Sequence, residues 1–393
     1  MMDQTERTRV LSDLVKINSV NGNELEVANY LRRLFEQHGL TADVQPFGEQ
    51  RANLIVEVGA GKPILGITGH MDTVALGDEG KWRHAPLSAT IEGDRLYGRG
   101  AADMKSGLAA QVIALIELVE SGTLTGHVRF IATAGEEYGT PGANRLEEAG
   151  VAKDLDALVV GEPTSGNVIY AHSGSYNYRI VSTGQAVHSS EPERGQNALE
   201  PLVDFALAER DLFFDVPDDP CLGPLKHSVT IIQGGEQVNT IPDYAELRGN
   251  IRPTLRFDND HVTARLQAAV DRLNQEGAAH LTLEVLHSWR PVASDPDGDF
   301  VKRALQASQE AFAKYPGHAT PELGVIHGAT DASVFVKHHH DLPVILLGAD
   351  DWNISHQVNE YTTLSSFEAT IEAYKRLIPA FFGSLSNPVD GSF

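Results

Sequence analysis

Residues 64–72 read ILGITGHMD, an apolar run that ends on a histidine and an aspartate two positions apart. Short bounded runs of this kind read as buried strands. Side chains alternate along a strand, so His70 and Asp72 address one face and one place. A carboxylate beside a histidine can accept its second ring N–H, which fixes the tautomer and leaves the other nitrogen for a metal. Alone, the pair reads equally well as polar capping of a strand end.

Four other segments carry similar chemistry. YGRGAADMKSG (97–107) departs from the dinucleotide pattern G-x-G-x-x-G, which needs glycine at 103, where Asp103 stands. A carboxylate there also opposes a phosphate held at a helix N-terminus. By itself Asp103 fits an N-cap; it also fits a carboxylate shared by two ions. GEEYG (135–139) follows the apolar run 128–133 with adjacent Glu136 and Glu137. Two such carboxylates repel unless a cation is near, or else the loop is simply solvated. GEPT (161–164) sets Glu162 directly after the run 157–160, and SHQVNE (355–360) supplies a second imidazole in His356. In open α/β sheets, ligands bind outside the carboxyl ends of the strands. The set supplies two histidines, His70 and His356, and three carboxylates, from Asp103, one of Glu136 and Glu137, and Glu162, suited to two divalent ions with one shared ligand. Mixed imidazole and carboxylate ligation points to zinc, with cobalt or manganese as alternatives.

The order of elements around these segments points to an α/β catalytic domain, a mixed sheet covered by helices. Strands are expected at 53–58, 64–68, 128–133 and 157–160, and helices at 24–34 and 108–119. The rhythm changes near residue 176. Strand 176–182, helix 198–212, strands 228–233 and 244–251, helix 261–273 and strand 281–286 follow in the β-α-β-β-α-β order of a ferredoxin-like α+β sandwich. The first style then resumes, with helix 300–313, strand 344–347 and helix 365–377. The simplest account is a catalytic domain of 1–175 and 290–393, with 176–289 inserted as a lid.

Composition agrees with this size. The chain has 393 residues, enough for two domains, with 41% hydrophobic and 22% charged residues. A formal net charge of -23 argues against nucleic acid and anionic membrane as partners. Cys221 is the single cysteine, so intrachain disulfides and cysteine-based zinc sites are excluded. The N-terminal MMDQTERTRV lacks an apolar core, and the apolar stretch 107–120 is too short to span a bilayer. A cytoplasmic protein is the expectation. The run His338-His339-His340 reads as an exposed turn, and His172 and His227 as structural or surface residues. No G-x-S-x-G is present, so a serine nucleophile is not expected.

GHMDTV, GRGAADMKSG, AGEEYGTPGA, GEPT, VHSS and SHQVNE, spread from residue 69 to residue 360, resemble the motifs of a family of zinc-dependent deacylases and exopeptidases. That family includes acetylornithine deacetylase, succinyl-diaminopimelate desuccinylase, aminoacylase and glutamate carboxypeptidase. The resemblance implies a metal-dependent hydrolase that removes the acyl group from an N-acyl amino acid, most like the desuccinylase or the deacetylase. An exopeptidase on the same scaffold and a non-catalytic metal-binding homologue are the other readings. Asp103 would bridge the ions, with His70 and Glu162 at one and Glu137 and His356 at the other. Asp72 would orient His70, and Glu136 would be the general base. The Asp103–Met104 peptide bond would be cis.

In the inserted domain the resemblance assigns His188 to oxyanion stabilisation, in dimeric members from the partner subunit. It assigns Asn239 and Arg252 to substrate binding, with Arg252 on a carboxylate, and a homodimer through the lid follows as an expectation. His327, before Gly328-Ala329-Thr330-Asp331, falls near the substrate on the same basis. Ala75 stands where the family motif has proline, and Ser106 where it has a second glycine. Glu162, rather than aspartate, associates the chain with deacylases and glutamate carboxypeptidases.

Overall fold

The computed structural model describes residues 1–277 and 280–383. The chain forms two compact units, one of Met1–Tyr170, Ala293–Gly324 and Thr330–Phe393, the other of Ala171–Val292 and Val325–Ala329. The expected cuts at 175/176 and 289/290 both fall inside the second unit. The return of Val325–Ala329 to it was not foreseen, because a five-residue excursion leaves no mark in a hydrophobic pattern.

The first unit is built on a large mixed sheet. Its strands run in the order Asp43–Phe47, Arg51–Val58, His127–Thr133, Ile64–His70, Ala157–Val160, Val344–Leu346, Val168–His172, Val292–Ala293, with Leu323–Ile326 paired to Val168–His172. The middle four, from His127–Thr133 to Val344–Leu346, are mutually parallel. Parallel strands are buried on both faces, and Ile64–His70, Ala157–Val160 and Val344–Leu346 are buried along their whole length. Helix Ser106–Glu120 crosses from Ile64–His70 to His127–Thr133, and helix Pro141–Glu148 from there to Ala157–Val160. Ser106–Glu120 is buried from Ser106 to Leu118 and packs against Leu364–Gly383. Glu117, fully buried on it, is held by Arg7 Nε and Nη2 at 2.8 and 2.7 Å and by Lys375 Nζ at 2.7 Å. The helix starts hard against the end of the neighbouring strand. A Cβ on Gly107 would lie 1.8 Å from the Gly161 carbonyl, so only glycine lets the turn of Asp103 approach the loop of Glu162.

The second unit is a four-stranded antiparallel sheet with helices Leu199–Glu209 and Asn259–Glu276. From one edge the strands are Lys226–Gly234, Tyr244–Arg252, Ser175–Thr183 and His280–Trp289. Numbered along the chain within this unit, that order is 2-3-1-4, the ferredoxin-like arrangement. Strand alternation divides its faces. Tyr176, Tyr178, Ile180, Ala245, Leu247 and Ile251 pack with Leu202, Phe205, Val262 and Leu266 of the helices. Glu246, on the other face, accepts hydrogen bonds from Tyr244 Oη (2.7 Å), Arg179 Nε (2.9 Å), Arg248 Nη2 (2.8 Å) and Gln233 Nε2 (2.9 Å). The Tyr244 hydroxyl, then Arg179, Arg248 and Gln233, hold its carboxyl down at about 2 from the ordinary 4.5, against the opposing effect of burial.

A depressed acid contributes stability above its unfolded pKa and loses it as pH falls toward the folded one. The contribution of Glu246 is therefore present above about pH 4.5 and fades between there and about pH 2. Solvent screening reduces it to ~1–2 kcal/mol. Denaturant titrations of wild type and Glu246→Gln at about pH 5.5 and about pH 3 are expected to show the larger gap at the higher pH.

Candidate metal centre

The four parallel strands all deliver their carboxyl ends to one edge of the first unit, and the candidate residues follow from them. His70 closes its strand. Glu136 and Glu137 sit on the 3-10 turn Glu136–Tyr138, three residues past the next strand, and Glu162 lies two residues past Ala157–Val160. Because Ile64–His70 is the middle strand of these three, His70 stands between the two carboxylate loops. Asp103 lies in the irregular turn Ala101–Lys105 before helix Ser106–Glu120, and its peptide bond to Met104 is cis, as expected. His356 arrives on the loop that leads from the fourth parallel strand.

Asp103 faces both histidines. Its Oδ1 lies 3.1 Å from His70 Nε2, and its Oδ2 3.2 Å from His356 Nε2. Glu137 Oε1 is 2.8 Å from the same nitrogen of His356, and Glu162 Oε1 is 3.9 Å from His70 Nε2. His70, Asp103 and Glu137 each offer a ligand atom within 4.8 Å of the others, so these three could hold a metal.

Asp72 reaches the second ring nitrogen of His70 through its backbone. The ring Nδ1 of His70 lies 3.0 Å from the backbone oxygen of Asp72, while the carboxylate is 3.7 Å away. That carboxylate is engaged elsewhere, accepting from the backbone N–H groups of Gly135 (2.8 Å), Glu136 (3.0 Å) and Glu137 (3.1 Å). One residue thus fixes the tautomer of His70 with its carbonyl and the acidic loop with its side chain.

The electrostatics show a site short of positive charge. Burial, and then the Glu137, Glu162 and Asp331 carboxylates, hold Glu136 well above the usual carboxylate range, against the pull of His70. Burial and Asp103 raise Glu137 as well. Glu162 is pushed well up, by burial and by Asp103, Glu137 and Asp331, and its buried Oε2 has no hydrogen-bond partner among the described residues. The histidines respond in the opposite sense. Hydrogen bonds to Asp103 and Glu137 raise His356 to about 10. Burial opposes a charge on His70, yet Asp103, Glu162 and Asp72 raise it well above its ordinary value. Buried carboxylates in this number are stable only when paired or bound to metal. An orphaned carboxylate oxygen and a donor set of two imidazoles and three carboxylates fit divalent ions.

Sequence reasoning left three residues here without a role. Asp331, buried, accepts from Thr133 Oγ1 at 2.6 Å and is raised to about 7, mainly by burial. Arg99 and Glu360 form a buried ion pair at 2.6 Å. Both lie inside quoted motifs, and Asp331 ends Gly328-Ala329-Thr330-Asp331, so the signal was the motif itself.

The remaining candidates belong to the second unit. His188 lies on a two-stranded ribbon, Val187–His188 against Thr240–Ile241, and is exposed. Its Nδ1 lies 2.7 Å from Ser190 Oγ and 3.2 Å from the Ser190 N–H, both within the same turn. The carbonyl of Asn239 accepts from Ser189 N at 3.0 Å in the same ribbon. Arg252 ends the strand Tyr244–Arg252 and has no carboxylate partner among the described residues. Burial lowers its pKa, and with Lys226 it also lowers that of His327, after burial. His172 is fully buried with Nδ1 2.9 Å from the Ser173 carbonyl, His227 pairs with Glu209 at 2.6 Å, and exposed His338 pairs with Glu147 at 2.5 Å.

Comparison with known proteins agrees with this geometry. The model of peptidase family M20/M25/M40 matches residues 66–380. The chain belongs to that family. It is 33% identical to a Staphylococcus aureus protein named "Probable succinyl-diaminopimelate desuccinylase", over 95% of this chain and 96% of that one. It is 28% identical to the succinyl-diaminopimelate desuccinylase of Ehrlichia chaffeensis, over 94% and 96%. Among solved structures, it matches the fold of an M20 family metallo-carboxypeptidase from Sulfolobus solfataricus, with 19% identity, a TM-score of 0.78 and coverage of 97% and 99%. A Bacillus subtilis protein described as a dinuclear metal binding peptidase of the M20 family gives 17% identity, a TM-score of 0.73 and coverage of 97% and 98%. As a member of the M20/M25/M40 family the chain is a hydrolase of amide bonds. Among the described residues no helix is long and apolar enough to cross a membrane.

Proposed function

We propose that this M20/M25/M40 member is a two-metal deacylase that cleaves an N-succinyl or N-acetyl amino acid, with N-succinyl-diaminopimelate as the favoured substrate. The observation that carries the reading is Asp103, whose two oxygens divide between His70 and His356 as a bridging ligand requires. His70 and Glu162 complete one ion position, and Glu137 and His356 the other. Zinc is the preferred ion, with cobalt or manganese able to replace it. Such ions would lower the pKa of a bound water and polarise the substrate carbonyl.

The chain's own residues supply the rest. Glu136 lies in the same loop as Glu137 and takes no ligand role, so its carboxylate is free to accept a proton as water attacks the carbonyl. The new C–O bond forms, the C–N bond breaks, and Glu136 returns the proton to the leaving nitrogen. His188 donates its Nε2–H where negative charge develops on oxygen. Arg252, half-buried and without an acidic partner among the described residues, pairs with a substrate carboxylate, and Asn239 binds beside it. The second unit acts as a lid, and a homodimer through it and a cytoplasmic location complete the proposal.

The names of the desuccinylase relatives and Glu162 both support a deacylase over an exopeptidase. A panel of N-succinyl-diaminopimelate, N-acetylornithine and dipeptides with zinc or cobalt tests it. The succinyl substrate is expected to give the highest kcat/KM. Preference for a dipeptide moves the assignment to the exopeptidases of the same scaffold.

A further inference from the structure

We propose that Arg99 and Glu360 are positioning residues that set the second ion position, the one formed by Asp103, Glu137 and His356. The inference rests on the two-ion reading above. Both side chains are buried, and Arg99 Nη1 donates to Glu360 Oε2 at 2.6 Å. The other carboxylate oxygen, Oε1, accepts from the backbone N–H groups of Ala102 (3.0 Å) and Asp103 (3.1 Å), the turn that presents the bridging aspartate. The guanidinium reaches the opposite way. It donates to the carbonyls of Gln357 (3.2 Å) and His356 (3.4 Å), and its Nε donates to Ala75 O at 3.0 Å. A single buried pair therefore joins the backbone of one ligand, Asp103, to that of another, His356, across more than 250 positions of sequence.

The two histidines differ in what holds their rings. His70 is buried and its Nδ1 is fixed by the Asp72 carbonyl at 3.0 Å. His356 is half-exposed, and among the described residues its Nδ1 has no hydrogen-bond partner. A ligating imidazole is ordinarily oriented through its second nitrogen. His356 lacks that device, so its direction depends on its backbone. That backbone has φ +64°, a left-handed conformation rare outside glycine, as does Asn359 at +64°. Arg99 grips it through the carbonyls of His356 and Gln357, and Asn359 is tied down by Arg83 N at 2.6 Å. The Trp82 ring, 5.2 Å from the guanidinium, covers Arg99. The first ion position leans on a locked histidine and on Glu162 beside a buried strand, so the pair governs the second position more than the first.

The test uses the full chain and cobalt(II) as the probe, in equilibrium dialysis of wild type, Glu360→Gln and Arg99→Lys. Glutamine keeps the shape of Glu360 but loses its charge. Lysine keeps the charge of Arg99 but cannot reach four acceptors at once. Wild type is expected to hold two ions. Each variant that folds is expected to hold the second ion about 10–100-fold more weakly and the first with a clearly smaller loss, because Asp103 serves both. Excess cobalt is expected to restore hydrolysis with KM for the amide substrate unchanged. If Glu360→Gln leaves Arg99 uncompensated and does not fold, Arg99→Lys carries the measurement. Unchanged affinity for the second ion overturns the proposal, and so does equal weakening of both ions, which marks general loosening. A wild type that holds one ion overturns the two-ion reading itself, and the clamp with it.

Discussion

Glu136→Gln is expected to lower turnover by about 10²–10⁴-fold while both ions stay bound. The geometry separates Glu136 from its neighbour. Glu137 points its carboxylate at His356, 2.8 Å away, whereas no ion pair or hydrogen bond ties the Glu136 carboxylate among the described residues. The Asp72 carboxylate holds the backbone of both, so glutamine at 136 leaves the loop in place. Glutamine matches glutamate in size but cannot take a proton, so the loss falls on kcat rather than on metal content. Steady-state kinetics with cobalt, run alongside metal analysis, check it. Wild-type turnover in the variant removes Glu136 from the chemistry, and loss of metal makes it a ligand instead.

Asp103→Ala is expected to abolish both ion sites and with them all measurable hydrolysis. Its two oxygens are the common element of both histidine pairs, at 3.1 and 3.2 Å. Removing it leaves His70 with Glu162 at 3.9 Å, and His356 with Glu137 alone, two ligands each where a catalytic zinc site keeps three. The stability readout is independent of activity. Ions that bind only the folded chain raise its Tm in proportion to the logarithm of their concentration. Wild type is expected to gain Tm as zinc is added, and Asp103→Ala to gain little or none. A variant that still binds two ions contradicts the bridging role.

Much of this was legible in the residues. The strand expected at 157–160 coincides with Ala157–Val160, and the second unit carries the expected strands and helices in order, with the short ribbon of Val187–His188 and Thr240–Ile241 added between them. The ligand segments were legible because four parallel strands gather their carboxyl ends, so that motifs far apart in sequence meet in space. Other features were readable but unread. Helix Gln4–Lys16 opens with a capping box between Asp3 and Glu6, a pattern visible in the sequence. What no local pattern carries is long-range pairing of short pieces. Tyr361–Thr363 pairs with Arg95–Tyr97 in a small three-stranded sheet, and this brings Glu360 beside Arg99. Asp331 meets Thr133 in the same way. The family resemblance assigns Asp72 to orient His70, and the residue does so through its backbone oxygen, 3.0 Å from the ring Nδ1. Its carboxylate accepts from three backbone N–H groups of the acidic loop, a long-range contact that no local pattern carries.

The most direct measurement is hydrolysis of N-succinyl-diaminopimelate by chelator-treated protein as zinc is added back, with bound zinc counted in parallel. The account predicts no turnover without metal and full turnover as the second ion binds. Turnover by the metal-free chain, or binding of two ions with no amide of the panel hydrolysed, would contradict it.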